Sequence, residues 1–336
     1  MEISIQEMLF EFLGGLGIFL FGIKFMGDGL QKSAGDRLRD LLDKYTTNPI
    51  MGILVGILVT VLIQSSSGTT VITVGLVSAG LMKLRQAIGV IMGANIGTTI
   101  TAFIIGIDVG EYALPIIFVG AVLLFFFKSQ KLHNIGQILF GFGFLFFGLE
   151  LMSSGMKPLR SFEWFHELTV SLSDYSVLGV LVGTVFTLLV QSSSATIGIL
   201  QGLFGKGLVD LQGALPVLFG DNIGTTITAL LASIGASIAA RRAACVHILF
   251  NVAGTVIFMI LLVPFTNLIS WFQQTLGLNP EMTIAFAHGT FNITNTLIMI
   301  PFIGAYAWIV TKIIPGEDTV IEFKPEHLDE RILDQS

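Results

Sequence analysis

Two polar motifs recur at a fixed distance inside sequence that is otherwise apolar enough for lipid. Gln64-Ser65-Ser66-Ser67-Gly68 returns as Gln191-Ser192-Ser193-Ser194-Ala195, and Gly93-Ala94-Asn95-Ile96-Gly97-Thr98-Thr99 returns as Gly220-Asp221-Asn222-Ile223-Gly224-Thr225-Thr226. The offset is 127 residues for both (191 − 64 and 222 − 95). Any fold must therefore be built from two related halves, each carrying the same polar groups to bilayer depth, where an unpaired backbone group is costly. A duplicated, interrupted polar segment of this kind points to a binding centre between two repeats.

The lipid setting follows from composition. Hydrophobic residues make up 53% of the chain and charged residues 12%, about half the charged share of a soluble domain. The mean hydropathy is +0.84. A polytopic, all-α integral membrane protein is expected, with the lipid bilayer as its medium and no nucleic-acid partner. Glu2, Glu7 and Glu11 precede any Lys or Arg, which is unlike a signal peptide, so the first apolar stretch is expected to remain in the mature protein. The single cysteine, Cys245, excludes an intramolecular disulfide and a thiolate metal cluster.

Apolar runs cover residues 12–30, 50–82, 86–107, 112–128, 136–156, 177–209, 211–235, 240–264 and 283–311. The duplication extends past the motifs. Residues 17–26 resemble 143–152, and Gly52, Val55, Gly56 and Thr60 match Gly179, Val182, Gly183 and Thr187. Residues 12–128 are read as the first transmembrane repeat and 136–264 as the second. A final transmembrane helix follows at 283–311 and a cytoplasmic tail at 312–336. Segments 50–82 and 177–209 are 33 residues each, broken near the middle by serines. Each arm then spans about 24 Å as helix, short of a hydrocarbon core of about 30 Å. Both are expected to be re-entrant hairpins, their tips held in protein. The paired glycines of each Gly-x-Asn motif predict a broken helix in each repeat.

With both hairpins re-entrant, each repeat makes three crossings, and the odd number inverts the second repeat relative to the first. One side then receives Lys32, Arg37, Arg39, Lys44, Lys83, Arg85, Lys128, Lys131, Arg241, Arg242, Lys312, Lys324 and Arg331, and the other only Lys157, Arg160 and Lys206. This asymmetry places the N-terminus outside and the C-terminus in the cytoplasm of a cell-membrane protein.

The chemistry of the motifs is that of ion binding. Serine hydroxyls donate to an anion or accept around a cation. A helix starting at the serines offers free N–H groups and a positive dipole end to an anion, with Thr69, Thr70 and Thr196 beside it. The carbonyl end of the preceding arm suits a small cation such as sodium. Ser and Gly also serve plain helix packing in lipid, but two copies with Gln at matching positions favour function. In the companion motif, Asn95, Thr98, Thr99, Asn222, Thr225 and Thr226 present oxygens as candidate sodium or substrate ligands, with interhelical hydrogen bonding as the alternative. Asp221 stands where the first copy has Ala94. A carboxylate at membrane depth needs a partner, a cation or a proton, unless it lies at a wet helix end.

His247-x-x-x-Asn251 and His288-x-x-x-Asn292 form a smaller echo. The spacing places each pair on one helix face, and bracing is favoured over a role lining the path; Asn295 extends the stripe. No three ligands converge for zinc. Lys24 and Glu150 occupy equivalent positions, either paired across a pseudo-two-fold axis or each reaching to an interface.

The paired Gln-Ser-Ser-Ser and Gly-x-Asn-Ile-Gly-Thr-Thr motifs, with Arg241-Arg242, His247 and Phe250-Asn251, resemble the type II sodium-dependent phosphate cotransporter family over about residues 12–310. The resemblance implies secondary active transport, with sodium as co-substrate driving uptake of inorganic phosphate by alternating access and no covalent cofactor. It implicates Gln64, Ser65, Ser66, Ser67, Gln191, Ser192, Ser193 and Ser194 in phosphate binding, and the companion motif beside them. Many bacterial members continue into a helical domain like the phosphate-uptake regulator PhoU, and residues 323–331 resemble the lead into one. A PhoU-like regulator and a homodimer are therefore candidate partners. Competing readings are a passive anion channel, a phosphate-sensing membrane scaffold and, lacking a nucleophile–base motif, an intramembrane serine hydrolase. An enzyme is not expected.

Overall fold

The structure is a computed structural model. It describes residues 4–317, without the side chains of Arg39, Thr228 and Ala232. Most of the expected tail, residues 318–336, lies outside the described residues.

Every regular element among the described residues is helical. The first half comprises α1 (Ile5–Ala34), α2 (Arg37–Lys44), α3 (Pro49–Ile63), α4 (Ser66–Ser78), α5 (Leu84–Gly97), α6 (Ile100–Gly106) and α7 (Ala113–Phe126). The second comprises α8 (Gln130–Met156), α9 (Glu163–Asp174), α10 (Ser176–Val190), α11 (Ser193–Gly205), α12 (Leu211–Ala232) and α13 (Ile238–Ile260). The chain closes with α14 (Leu262–Leu276), α15 (Pro280–Met299) and α16 (Ile303–Ile313). Among the described residues, six stretches are long and apolar enough to cross a bilayer: Ile5–Ala34, Leu84–Gly106, Gln130–Ser161, Leu211–Leu231, Ile238–Ile260 and Pro280–Ile313. Counting the pair α9–α10, bent by 114°, makes seven. Of the crossings expected from sequence, 112–128 falls short: Gly110–Phe126 is 17 residues, about 25 Å of helix.

Close backbone contact at glycine holds the long helices together, as it must where lipid is as apolar as the core. A Cβ on Gly22 would lie 2.5 Å from the Leu145 nitrogen and 2.7 Å from the Gly141 oxygen, and one on Gly15 would lie 2.8 Å from the Gly148 oxygen. Rising numbers on α1 thus meet falling numbers on α8, so the two helices run antiparallel. Gly15 and Gly22 match Gly141 and Gly148 in the sequence repeat, and each touches the other's counterpart. That reciprocal pattern is the mark of a two-fold relation. The same register separates Lys24 from Glu150. Lys24 lies opposite residue 139 and Glu150 opposite residue 13, about 16 Å apart along the axis. The suggested pairing of these two charges is therefore corrected: antiparallel packing holds them on either side of the contact's midpoint, too far apart to pair.

The second contact recurs in both halves. A Cβ on Gly56 would strike the Val90 carbonyl and one on Gly93 the Ile53 carbonyl; Gly183 and Val217, with Gly220 and Val180, repeat the arrangement 127 residues on. The motif glycines Gly97 and Gly224 likewise face Thr60 and Thr187 at 2.7 Å from an added Cβ. These glycines admit a neighbouring helix rather than break their own. In the first half the helix is interrupted only at Thr98–Thr99, where the Thr99 N–H shifts to the carbonyl of Ile96 at 3.0 Å. In the second half α12 runs unbroken through the motif. The expected second break is absent, although the threonine side chains bond carbonyls of their own helix alike in both halves: Thr225 donates to Asp221 O (3.0 Å) and Thr226 to Ile223 O (2.7 Å), as Thr98 does to Ala94 O (2.8 Å) and Thr99 to Ile96 O (2.7 Å).

One part of the core, among α12–α15, is rich in aromatic rings. Phe219, Phe258, Phe265 and Phe291 pack with ring centroids 4.7–6.1 Å apart and tie α12, α13, α14 and α15 together. Within α14, Leu262, Phe265 and Ile269 are buried at helical spacing. The apolar runs of the sequence cover little of this short helix and none of α9 and α2. The expected final helix ends one piece at Met299, because Pro301 forces a 3-10 turn before α16.

Candidate functional site

Each hairpin turns by the same backbone device. Gln64 (φ 56, ψ 30) and Gln191 (φ 60, ψ 29) end α3 and α10 in the left-handed region. That conformation costs a non-glycine residue roughly 1–2 kcal/mol. The amide side chain offsets part of it: Gln64 Nε2 donates to Val61 O and Gln191 Nε2 to Leu188 O, both at 2.6 Å, satisfying a carbonyl of the last turn. Ser65 and Ser192 are then extended (φ −147 and −148) and cap the return arms. Ser65 Oγ accepts from Gly68 N at 3.0 Å and Ser192 Oγ from Ala195 N at 3.2 Å. A buried hydroxyl pair braces the arms of each hairpin, Thr60 with Thr69 and Thr187 with Thr196, both at 2.8 Å. Thr101 donates to Gln64 Oε1 at 2.8 Å and anchors the first tip on α6.

The two tips meet. All eight residues of the paired Gln-Ser-Ser-Ser motifs line one cavity of about 120 Å³, together with Ile23, Thr98, Thr187 and Thr225. That is room for several waters or a small oxyanion. None of the lining residues is charged. Ser66 and Ser67 open α4, and Ser193 and Ser194 open α11. Their backbone N–H groups have no acceptor within the helix, and the dipole ends of both arms bring positive potential to the cavity. The arrangement suits a small anion with co-bound cations.

Of the companion motif, Thr98 and Thr225 reach the cavity; Asn95, Thr99, Asp221, Asn222 and Thr226 are not among its lining residues. The asparagines are engaged elsewhere. Asn95 Nδ2 donates to Asn251 Oδ1 at 2.8 Å, and His247 Nε2 donates to Asn95 Oδ1 at 3.1 Å. Asn222 Nδ2 donates to Asn292 Oδ1 at 2.7 Å. Asn251 and Asn292 each donate back to the carbonyl of the histidine one turn earlier, at 2.8 and 2.9 Å. The His–Asn echo thus supplies one clamp to each motif asparagine. Asn292→Leu leaves the Asn222 amide unpaired inside the protein and is expected to destabilise by about 1–3 kcal/mol. Thermal unfolding in detergent checks this; an unchanged midpoint counts against the clamp.

Sequence reasoning missed Thr187 and Ile23 as cavity residues. Thr187 carried a usable signal, since it repeats Thr60 at the motif offset. It also missed Gln201, whose Nε2 donates to the carbonyls of Ala102 and Glu281 at 2.9 Å each and ties the second hairpin to α6 and α15.

These features define an all-helical, multi-pass membrane protein with two polar hairpins closing on one uncharged cavity. Residues 18–154 and 155–313 match the model of the Na+/Pi-cotransporter family, and the chain belongs to that family, one of transporters. It is 30% identical over 310 residues to the uncharacterized protein YqeW of Bacillus subtilis, covering 92% of this chain and 99% of that one. It is 28% identical over 327 residues to the putative inorganic phosphate export protein YjbB of Escherichia coli, covering 97% of this chain and 60% of the relative. A segment of 99 residues is 43% identical to the sodium-dependent phosphate transport protein 2A of Rattus norvegicus, covering 28% of this chain and 15% of that protein. No solved structure matches the chain.

Proposed function

We propose that the protein is a sodium-coupled transporter of inorganic phosphate that works by alternating access around the serine cavity. The observation that carries this reading is the meeting of both Gln-Ser-Ser-Ser tips in one uncharged cavity. Phosphate is held there by the hydroxyls of Ser65–Ser67 and Ser192–Ser194 and by the opening amides of α4 and α11, as anions are at helix N-termini. No Lys or Arg lines the cavity, so its charge is offset by sodium. Thr98, Thr225 and the serine hydroxyls are the available oxygen ligands, while Asn95, Thr99, Asn222 and Thr226 shape the wall behind them. The reciprocal, antiparallel contact of α1 with α8 supports inverted repeats, the architecture that lets one half rock against the other. The charge asymmetry supports an N-terminus outside and a C-terminus in the cytoplasm.

Purified protein in proteoliposomes tests this. Phosphate accumulation is expected under an inward sodium gradient and is expected to vanish when choline replaces sodium. Flux that only equilibrates phosphate would favour a channel, and binding without flux a scaffold. The name of the relative YjbB speaks for export, and a preference for outward flux under equal and opposite sodium gradients would assign that direction instead. The reading extends to a homodimer, which light scattering of the solubilised protein decides, and to a PhoU-like cytoplasmic partner, which co-purification decides.

A further inference from the structure

A groove of about 300 Å³ opens at the end of the molecule where α1 begins and α8 ends. Leu9 and Phe12 of α1, Met156 of α8, Trp164 of α9 and Leu203 of α11 line it, with Leu159 from the 3-10 turn Lys157–Ser161 between α8 and α9. No lining residue is charged. Leu9 is 50% exposed and Trp164 57%, so the groove faces outward from the helices. In a bilayer an apolar groove of this kind is filled by acyl chain. Trp164 lies just past the end of the spanning stretch Gln130–Ser161, at the depth where indoles gather in membrane proteins.

The mouth of the groove is basic. Lys157 and Arg160 belong to the same turn as Leu159. Lys206 follows Leu203 by three residues, just past the end of α11. Arg160 reaches toward that second turn: a Cβ on Gly207 would lie 3.8 Å from Arg160 Nη2. All three basic residues are exposed. Among the described residues, none of their charged groups has a hydrogen bond or an ion pair. Glu163 opens α9 and Glu281 packs on Gly205, yet neither is paired with them. Lys157, Arg160 and Lys206 are also the whole basic complement that the sequence assigns to this side. A side so poor in cations gathers all of them around one apolar groove.

We propose that this groove is a binding site for an anionic phospholipid, with the headgroup phosphate held by Lys157, Arg160 and Lys206 and an acyl chain lying along Leu9, Phe12, Leu159 and Leu203. Arginine presents a planar fork to phosphate oxygens and lysine a point charge. Basic pockets between spanning helices hold such headgroups, and the apolar groove behind them holds the chain. The position gives the lipid a grip on assembly. The groove touches α1 and α8, whose contact joins the two halves, and α11, the return arm of the second hairpin. A lipid seated there splints that arm to the helix pair. The groove shares no lining residue with the serine cavity, so the site stands whether or not the chain transports phosphate.

The test uses the full chain in a neutral detergent and reads the unfolding midpoint as dioleoyl phosphatidylglycerol or dioleoyl phosphatidylcholine is titrated in. A saturable rise is expected with phosphatidylglycerol and not with phosphatidylcholine. In Lys157→Gln with Arg160→Gln, the phosphatidylglycerol concentration for half-maximal stabilisation is expected to rise by at least about tenfold. Lys206→Gln, on a separate turn, is expected to shift it the same way. Lys128→Gln with Lys131→Gln, beside the start of α8 at the opposite end, is expected to leave it unchanged. Glycerophosphoglycerol, the same headgroup without chains, is expected to give no rise. Equal stabilisation by phosphatidylcholine overturns the proposal, because the groove would then take any chain. An unchanged response in both groove variants, an equal loss in the Lys128 and Lys131 control, or an equal rise with glycerophosphoglycerol overturns it as well.

Discussion

Ser193→Leu is expected to abolish phosphate uptake while leaving the protein folded. Ser193 is the first residue of α11 and lines the cavity. Leucine there removes a hydroxyl donor and projects an isobutyl group into a space of about 120 Å³. The fold has no comparable objection, because Ser192 still caps the helix and leucine is a good helix former. Ser193→Ala grades the effect. Losing one hydrogen bond to a charged ligand costs about 1.5–3 kcal/mol, roughly a ten- to hundredfold loss of phosphate affinity. Uptake by proteoliposomes gives both numbers. Wild-type affinity in the alanine variant would place the phosphate elsewhere.

The second large effect is on assembly. Gly22→Val is expected to prevent α1 from seating on α8. The added Cβ would sit 2.5 Å from a backbone nitrogen and 2.7 Å from a backbone oxygen of the neighbouring helix. No rotamer change relieves a clash with backbone, so the helices must separate along their length. Overpacking in a core costs typically 1–3 kcal/mol and sometimes more, and here it falls on the main contact between the halves. Loss of the monodisperse peak in size-exclusion chromatography is the expected readout. Gly17→Val is the control. A Cβ at Gly17 meets nothing within 4 Å, and the change is expected to stay within about 0.5 kcal/mol. Equal behaviour of the two variants would refute the packing argument.

Much of this architecture is legible in the amino-acid order. The hairpin turns lie where polar residues interrupt arms too short to span, and Gln64 and Gln191 adopt matching dihedrals because the same local bonds hold both. The Gly-x-Asn motif is less legible. Glycines at this spacing are compatible with a break or with close helix approach, and the choice depends on whether another helix arrives. Here α3 and α10 do. The partners of Asn95 and Asn222 lie 156 and 70 residues away, beyond any local pattern. The short helices α9 and α14 escaped notice because they lie outside the spanning runs.

From its order of residues alone, the chain is committed to lipid, to helices and to two related halves, since these follow from hydrophobicity and from a repeat that any reader can align. Which polar side chains face the cavity was decided by the tertiary structure. The rotation of a helix about its own axis settles that question, and glycine contacts with neighbouring helices set the rotation. Thr98 and Thr225 thereby turn toward the serines, and Asn95 and Asn222 toward the clamps behind them.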